Sequence, residues 1–241
     1  MGGGSRLLTD TREHLELLSR LLARIVHDFN NPLAAILGFS DLLKNPELAE
    51  EKKLRYVQRV HEQASRLSQL VEMMSDFSTL PACQPTPMKL DRVVRDALSL
   101  RQGGFRALLL NVETEFQHEQ IAVVGDRNAC LKIISCLLNN LEQVFKEHPD
   151  LERRAMVRCG IQDDVGFLDV ADAGPGVDES IREEIFEAFF STRRSGGLGL
   201  GLTVSRSLAR EMGGDLVLME PGSCALGGAC FRMTLPLEKT E

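Results

Sequence analysis

Two long stretches near the start of the chain carry apolar residues at steps that alternate between three and four. The positions in the first stretch are Leu15, Leu18, Leu22, Ile25, Phe29, Pro32 or Leu33, and Ile36, and those in the second are Val57, Val60, Ala64, Leu67, Val71 and Met74. This spacing predicts helices that pack in a bundle or coiled coil. A break at Asn45-Pro46-Glu47 separates them, so the pattern predicts an antiparallel helical hairpin. Because both apolar stripes are wide, we expect two hairpins to pair as a homodimeric four-helix bundle.

The pattern changes after residue 80, because three prolines fall within the seven residues 81–87. We therefore expect a hairpin domain over 6–81, a linker over 82–87 and a second domain over 88–241. Interleaved helices and strands in the second domain predict an α/β sandwich with one mixed sheet and helices on one face, so the fold class is α+β. The predicted helices are Asp91–Leu100, Arg127–Glu147, Asp178–Ala188 and one that begins near Gly201. The predicted strands are Ala107–Phe116, Ile121–Val124, Ala155–Ile161, Val165–Ala171, Asp215–Met219 and Ala229–Leu235.

Composition narrows the class of protein. The 241 residues are 43% hydrophobic and carry a net charge of −7, which disfavours nucleic acid or an anionic membrane as the main partner. No apolar run approaches the roughly twenty residues that a membrane span needs, so we expect no direct insertion into a membrane. The six cysteines form no CxxC pair and lie near no histidine pair at metal spacing. We therefore expect a reducing, cytoplasmic setting with no disulfide framework and no zinc.

One short stretch of the first helix carries candidate chemistry. His27 and Asp28 are adjacent, Asn31 follows one helical turn later and Pro32 closes the run. If the apolar positions form the packing seam, His27 points at solvent and Asn31 stands beside it on the exposed face. A lone histidine on such a face is most often an ordinary surface residue. An acid and an amide beside it, above a proline that weakens the helix, favour a reactive site.

Four features of the second domain point to a nucleotide. Asp172-Ala173-Gly174-Pro175-Gly176 follows an apolar strand, so backbone can approach a flat ligand while the carboxylate accepts a hydrogen bond from an amine. The run Gly196 to Leu202 leads into a helix and is typical of a phosphate cradle. Asn139 and Asn140 interrupt an apolar helix and could pair with a metal ion. The fourth feature is the aromatic cluster Ile185–Thr192. Each feature also has an ordinary explanation. The Gly-Pro-Gly run could be a simple turn, the glycine-rich run a flexible loop, and the two asparagines solvent-facing amides. Phe186 could simply pack in the core.

Taken in order, these segments resemble the conserved boxes of sensor histidine kinases. His27 to Leu33 resembles the H box, Asn140 the metal-binding position of the N box, and Asp172 to Gly176 the G1 box. Phe186 to Phe190 resembles the F box, and Gly197 to Gly201 the G2 box. The resemblance implies a dimerisation and phosphotransfer hairpin followed by the ATP-binding fold shared with DNA gyrase and mismatch-repair ATPases.

The resemblance also implies a role for each matching residue. His27 would accept the phosphoryl group, and Asp28 would orient the His27 imidazole and take its proton. Asn31 would position a water or the reacting group of the receiver. The nucleotide-binding residues would be Asn140, Asp172, Gly174, Gly176, Thr192, Arg193, Gly197, Gly199, Leu200 and Gly201, with Mg²⁺ held by Asn140. The substrate would be ATP and the partner the receiver domain of a response regulator, with phosphatase activity toward that receiver as a further expectation.

One departure from the family pattern leaves a second hypothesis open. Alignment on Gly125-Asp126 puts Cys136 where the N box usually has its first asparagine, and a thiol is a poor ligand for a hard metal ion. A weakly active or non-catalytic dimeric scaffold, or a phosphotransfer protein, is therefore the alternative to an active kinase. A gyrase-like ATPase is disfavoured, because the histidine-bearing hairpin would then have no use.

Overall fold

The structure, a computed structural model, describes Val26 and residues 29–78, 83–192 and 199–238. The chain divides into two compact units, a helical hairpin and an α/β unit. None of the helices within the described residues combines the length and the apolar character that crossing a membrane requires.

The first unit contains the predicted antiparallel hairpin. Helix α1 covers residues 29–43, and helix α2 covers Glu50–Ser78. The turn between them is held by the Asn45 side chain, whose Oδ1 accepts a hydrogen bond from the backbone N–H of Glu47 at 3.0 Å. Phe39 of α1 packs against Tyr56 of α2 with ring centroids 5.6 Å apart. The hairpin predicted from the three-four spacing is therefore present within the described residues.

The second unit contains a five-stranded mixed sheet and three helices. The order of the sheet is β2-β4-β5-β7-β6, in which β2 and β4 are parallel and the other neighbours are antiparallel. A separate antiparallel pair joins β1 to β3. The strands are β1 Thr86–Lys89, β2 Asn111–Phe116, β3 Ala122–Gly125, β4 Arg154–Gln162, β5 Val165–Asp172, β6 Asp215–Leu218 and β7 Cys230–Pro236. The helices are α3 Leu90–Ala107, α4 Arg127–Glu147 and α5 Gly201–Glu211.

The core lies between one face of the sheet and the helices, as the interleaved pattern predicts. Alternate residues of β5, such as Leu168 and Val170, share a buried apolar cluster with the inner faces of α3, α4 and α5. Helix α4 is the most apolar of the three, and Asp126 caps it by accepting hydrogen bonds from the N–H groups of Asn128 and Ala129. The pKa of Asp126 is lowered, chiefly by the bond from Ala129.

Three predicted boundaries differ from the structure. Helix α3 continues to Ala107, seven residues beyond its predicted end at Leu100, because its amphipathic pattern continues. Residues 107–110, predicted to begin a strand, therefore end this helix or follow it. The predicted helix Asp178–Ala188 is wrong: the chain makes two short 3₁₀ turns, Glu179–Ile181 and Glu184–Phe186, as it packs Ile185 and Phe186 against the core. Strand β1 begins at Thr86, inside the stretch predicted as linker, and a proline is tolerated there because β1 has only one partner strand.

The expectation of no disulfide also differs from the structure. Cys224, in the loop between β6 and β7, is bonded to Cys230, the first residue of β7, and their Cα atoms are 6.3 Å apart. Only six positions separate the two residues, and the loop turns back on the start of the strand. Sequence spacing does not reveal this approach, because it depends on how the loop folds.

Two glycines provide a test of the packing around the sheet. A Cβ atom at Gly214 would lie 1.8 Å from the carbonyl oxygen of Thr234, whereas one at Gly103, on an exposed face of α3, would meet nothing within 4 Å. We expect Gly214→Ala to reduce the free energy of unfolding by about 2 kcal/mol or more, since backbone must move. Gly103→Ala should raise it by about 0.5–1 kcal/mol through helix propensity. Thermal unfolding of both variants checks this; equal melting temperatures would contradict it.

Candidate functional site

Asp172 lies at the end of β5 and joins three segments of the second unit. Its Oδ1 atom accepts hydrogen bonds from the backbone N–H groups of Gly174 at 2.8 Å and Ala229 at 3.2 Å. Its backbone is bonded as well, because Gly228 N–H donates to its carbonyl at 3.1 Å and its own N–H donates to the carbonyl of Ala229 at 3.0 Å. Both side-chain bonds from the described residues go to Oδ1, so Oδ2 remains available to accept a hydrogen bond from a ligand.

Burial sets the electrostatics of this carboxyl group. Asp172 is only 6% exposed, and desolvation raises its pKa, while the hydrogen bonds from Gly174 and Ala229 act in the opposite direction. A buried carboxylate with an unused oxygen is a strong acceptor for a neutral amine donor, because water does not compete for it.

The small residues beside Asp172 leave room for backbone and ligand. A Cβ atom at Gly174 would lie 2.6 Å from both Asp172 Oδ1 and Val144 Cγ1, and one at Gly228 would lie 2.3 Å from Asp172 Oδ1. Gly176 has φ +75°, which favours glycine. Beyond this turn lies a cavity of about 120 Å³ whose lining includes Gly176 and Ala229.

One face of helix α4 connects the Asp172 turn to the start of α5. Cys136, Asn140 and Val144 follow each other at intervals of four residues, so they lie in one row along the helix. Val144 contacts Gly174, and the Cys136 sulfur would lie 2.8 Å from a Cβ atom at Gly201. Half-buried Asn140 therefore lies midway along a row about 12 Å long, given a rise of about 1.5 Å per residue. Asn139, by contrast, is exposed.

The N-terminus of α5 forms the other end of the site. Leu200 is buried and Gly201 begins the helix, so free backbone N–H groups are present there. Gly199 has φ +66°, and its carbonyl accepts a hydrogen bond from Phe189 N–H at 3.0 Å. The hydroxyl of Thr203, in the first turn, is buried without a hydrogen-bond partner among the described residues. Such an arrangement suits a phosphate group.

The other predicted site residues are placed as follows. His27, Asp28, Arg193 and Gly197 lie outside the described residues. Asn31 and Thr192 are exposed. Phe186, expected to be an ordinary packing residue, makes an edge contact with Phe231 and has the Arg206 guanidinium 4.6 Å from its ring centroid.

Sequence reasoning missed four residues of the site. Gly228 and Ala229 hold Asp172, and Val144 contacts the glycine turn. Thr203 carries the hydroxyl that has no hydrogen-bond partner in the described part of the chain. The adjacent glycines at 227 and 228 were the one available signal, because paired glycines before a strand often mark a close approach of backbone. Ala229 and Val144 carry no signal of their own, since each acts through a backbone group or a methyl contact.

Comparisons with known families match both units. Residues 17–82 match the His Kinase A (phospho-acceptor) domain, and residues 125–239 match the histidine kinase-, DNA gyrase B- and HSP90-like ATPase family. The chain thus has a phospho-acceptor hairpin followed by an ATPase-type domain. The two matches, in this order, bear out the resemblance to the catalytic core of sensor histidine kinases that the sequence motifs predicted.

Individual relatives agree with this assignment. The chain is 29% identical over 241 residues to sensor histidine kinase GacS of Pseudomonas protegens, covering 95% of this chain and 26% of the relative. It is 29% identical over 231 residues to sensor protein FixL of Bradyrhizobium diazoefficiens, covering 92% of this chain and 44% of the relative. The chain therefore spans less than half the length of these two curated relatives.

Solved structures share the fold. The crystal structure of histidine kinase ThkA in complex with response regulator protein TrrA aligns with a TM-score of 0.76 at 23% identity, covering 94% of this chain and 64% of that one. Acinetobacter baumannii histidine kinase AdeS aligns with a TM-score of 0.63 at 14% identity, covering 88% of this chain and 98% of that one. The predicted α+β class, a helical hairpin followed by an ATPase-type sandwich, is confirmed.

Proposed function

We propose that the protein is an ATP-dependent protein-histidine kinase that phosphorylates its own His27 and passes the phosphoryl group to an aspartate of a response-regulator receiver. The observation that carries this proposal is the row Cys136, Asn140 and Val144 of α4. The row is about 12 Å long; one end contacts the turn with an available carboxylate oxygen, and the other end contacts the N-terminus of α5. That separation suits a nucleotide with its base at one end and its phosphates at the other.

The Asp172 turn is the proposed adenine end. The exocyclic amine of adenine would donate to Asp172 Oδ2, while Gly174 and Gly176 leave space for the flat ring. A base with a carbonyl group at this position would set two acceptors against each other, so the carboxylate favours adenine.

The N-terminus of α5 is the proposed phosphate end. Backbone N–H groups of the first turn near Gly201, together with the helix dipole, favour a polyanion. The Thr203 hydroxyl makes no hydrogen bond to any of the described residues. Gly199 and Leu200 shape the described part of this loop, and Thr192, Arg193 and Gly197 are proposed to complete it.

Asn140 is the proposed protein ligand for Mg²⁺. Its side-chain oxygen suits a hard cation that is otherwise held by phosphate oxygens and water. When bound, Mg²⁺ would neutralise charge on the transferring phosphoryl group. Half-burial between the two ends of the site keeps Asn140 where such a role requires it.

The hairpin supplies the proposed acceptor. A neutral ring nitrogen of His27 attacks the γ-phosphorus of ATP in line with the departing ADP oxygen. The N–P bond forms as the P–O bond breaks, and Asp28 orients the ring and takes up its proton. Asn31, exposed on α1, is proposed to position the receiver or a hydrolytic water in the later steps.

The hairpin is also the proposed dimerisation surface. Several large apolar side chains of α1 and α2 are at least 44% exposed in the single chain, namely Leu33, Leu37, Leu42, Leu54, Val57 and Val71. Pairing of two hairpins would cover such a surface, which a single soluble chain rarely leaves open. The receiver partner is supported by the ThkA complex with a response regulator. We place the protein in the cytoplasm, where ATP is available.

Cys136 supports one alternative to an active kinase. Because this thiol stands in the row beside Asn140, metal binding could be too weak for catalysis, and the chain would then serve as a dimeric scaffold or phosphotransfer protein. Nucleotide binding separates the two functions: no detectable binding at millimolar ATP with Mg²⁺ would favour the scaffold.

Transfer to His27 is tested with γ-labelled ATP. Wild-type protein should acquire label that is stable in alkali and lost in acid, because a phosphorus–nitrogen bond hydrolyses in acid. His27→Gln should abolish the label while leaving ATP affinity unchanged, since the residue lies in the hairpin. His61→Gln, an exposed histidine of α2, is the matched control and should label normally. Undiminished label in the His27 variant would contradict the assignment.

The role of Asp172 is tested by Asp172→Asn. The amide oxygen can still accept the bonds from Gly174 and Ala229, but its NH₂ group would face the adenine amine, donor against donor. We expect affinity for ATP to fall by about tenfold or more with little loss of stability.

Lowering the pH should also reduce the affinity of the wild-type protein for ATP. Burial raises the pKa of Asp172, so protonation begins at a higher pH than for an ordinary aspartate, and ATP affinity should fall as the pH drops toward that range. The Asn variant should lack this component. Calorimetric titration across pH measures both, and identical pH profiles for the two proteins would rule out the assignment.

A further inference from the structure

The Cys224–Cys230 bond lies directly beside the proposed adenine end. Cys230 is the first residue of β7 and is only 3% exposed, whereas Cys224 is half-buried in the loop 219–229. Gly228 and Ala229, which precede Cys230, donate the hydrogen bonds that hold the backbone and side chain of Asp172. The disulfide therefore closes a small ring that contains two of the groups that position the carboxylate.

Opening that ring would release a part of the loop that has considerable conformational freedom. Gly227 has φ +76° and a Cβ atom there would meet nothing within 4 Å, so neighbouring side chains do not restrain it. With glycine also at 228, the segment between the two cysteines has few restraints of its own beyond its bonds to Asp172. The same loop lines the cavity next to Gly176.

The surroundings of the two sulfur atoms favour a disulfide over a metal site. A carboxylate oxygen of Asp169 lies within 4.8 Å of both sulfurs, so these three groups could in principle share a cation. Both oxygens of Asp169 are already bonded to guanidinium groups, however: Oδ1 to Arg232 at 2.7 Å and Oδ2 to Arg158 at 2.7 Å. Two fixed positive charges at that carboxylate oppose the binding of a further cation.

We propose that Cys224 and Cys230 form a redox switch, in which closure of their disulfide raises, and its reduction lowers, the affinity of the Asp172 site for nucleotide. The inference rests on the proposed nucleotide-binding function. Partly exposed Cys224 is the sulfur that a small thiol or disulfide can reach. In a glutathione-containing compartment, a disulfide that forms and breaks is typical of sensing rather than of structure.

The chemistry is thiol–disulfide exchange with a low-molecular-weight disulfide such as oxidised glutathione. The Cys224 thiolate attacks one sulfur of that disulfide and expels a glutathione thiolate. The Cys230 thiolate then attacks Cys224 of the mixed disulfide and expels the second glutathione. Two protein thiols are oxidised, one glutathione disulfide is reduced to two thiols, and the protons of the cysteines pass to the departing thiolates.

The test compares nucleotide affinity in the two redox states of the full 241-residue chain. Protein equilibrated with oxidised glutathione, or with a phosphine reductant, is titrated with a non-hydrolysable ATP analogue and Mg²⁺. Peptide mapping after alkylation reports the state of each cysteine. We expect the dissociation constant to be about three- to tenfold higher in the reduced protein, as for loss of order in a small binding loop. Cys224→Ser should bind like reduced wild type in both conditions.

One further variant makes the result specific. Cys83→Ser removes a half-buried thiol elsewhere in the unit and should retain the full redox response. If the mapped disulfide forms but affinity does not change, or if Cys224→Ser still responds, the switch is refuted. Failure of oxidised glutathione to join the two cysteines also refutes it. If neither state binds nucleotide while thermal unfolding shows a folded protein, the proposed kinase function fails as well.

Discussion

The site depends on one buried carboxylate that has to be held by backbone. Removing Asp172 from water is costly, and the N–H groups of Gly174 and Ala229 offset part of that cost at a single oxygen. Because these two donors come from different segments, the same bonds that stabilise the charge also fix the end of β5 against the turn that follows it and against the start of β7. The second oxygen is thereby oriented for a ligand.

Helix α4 sets the length of the candidate site, and it also contributes to the core. Its buried face belongs to the core, while the neighbouring row Cys136, Asn140 and Val144 contacts the segments at both ends of the proposed nucleotide. A regular helix keeps these contacts at a fixed spacing. Packing in the core therefore determines where the proposed adenine end and the proposed phosphate end lie, even though the residues that would bind are mostly in loops and at helix ends.

Much of the fold and part of the candidate site could be predicted from the sequence, because they depend on local residue patterns. Three-four spacing indicated the hairpin, and the interleaving of helices and strands indicated the sandwich. The order of the motifs indicated the resemblance to the catalytic core of sensor histidine kinases. Asp172 and the glycines were singled out as candidates because their residue types carry chemistry. By contrast, Ala229 contributes only a backbone N–H, and the approach of Cys224 to Cys230 depends on a loop path that no periodicity encodes. The stretch Asp178–Ala188 has helical composition, but the chain forms two short 3₁₀ turns there and packs Phe186 against Phe231.

The central claim is that Asp172 accepts a hydrogen bond from the exocyclic amine of adenine. Comparing the binding affinities of ATP and inosine triphosphate tests this claim most directly. This nucleotide differs from ATP in having a carbonyl group in place of that amine, with a proton on the neighbouring ring nitrogen. With the Mg²⁺ concentration and pH held equal, the account predicts that ATP binds wild-type protein at least about tenfold more tightly than inosine triphosphate. It also predicts that Asp172→Asn narrows or reverses the difference, since an amide NH₂ can donate to the carbonyl. Equal affinities for the two nucleotides in the wild type would contradict the account.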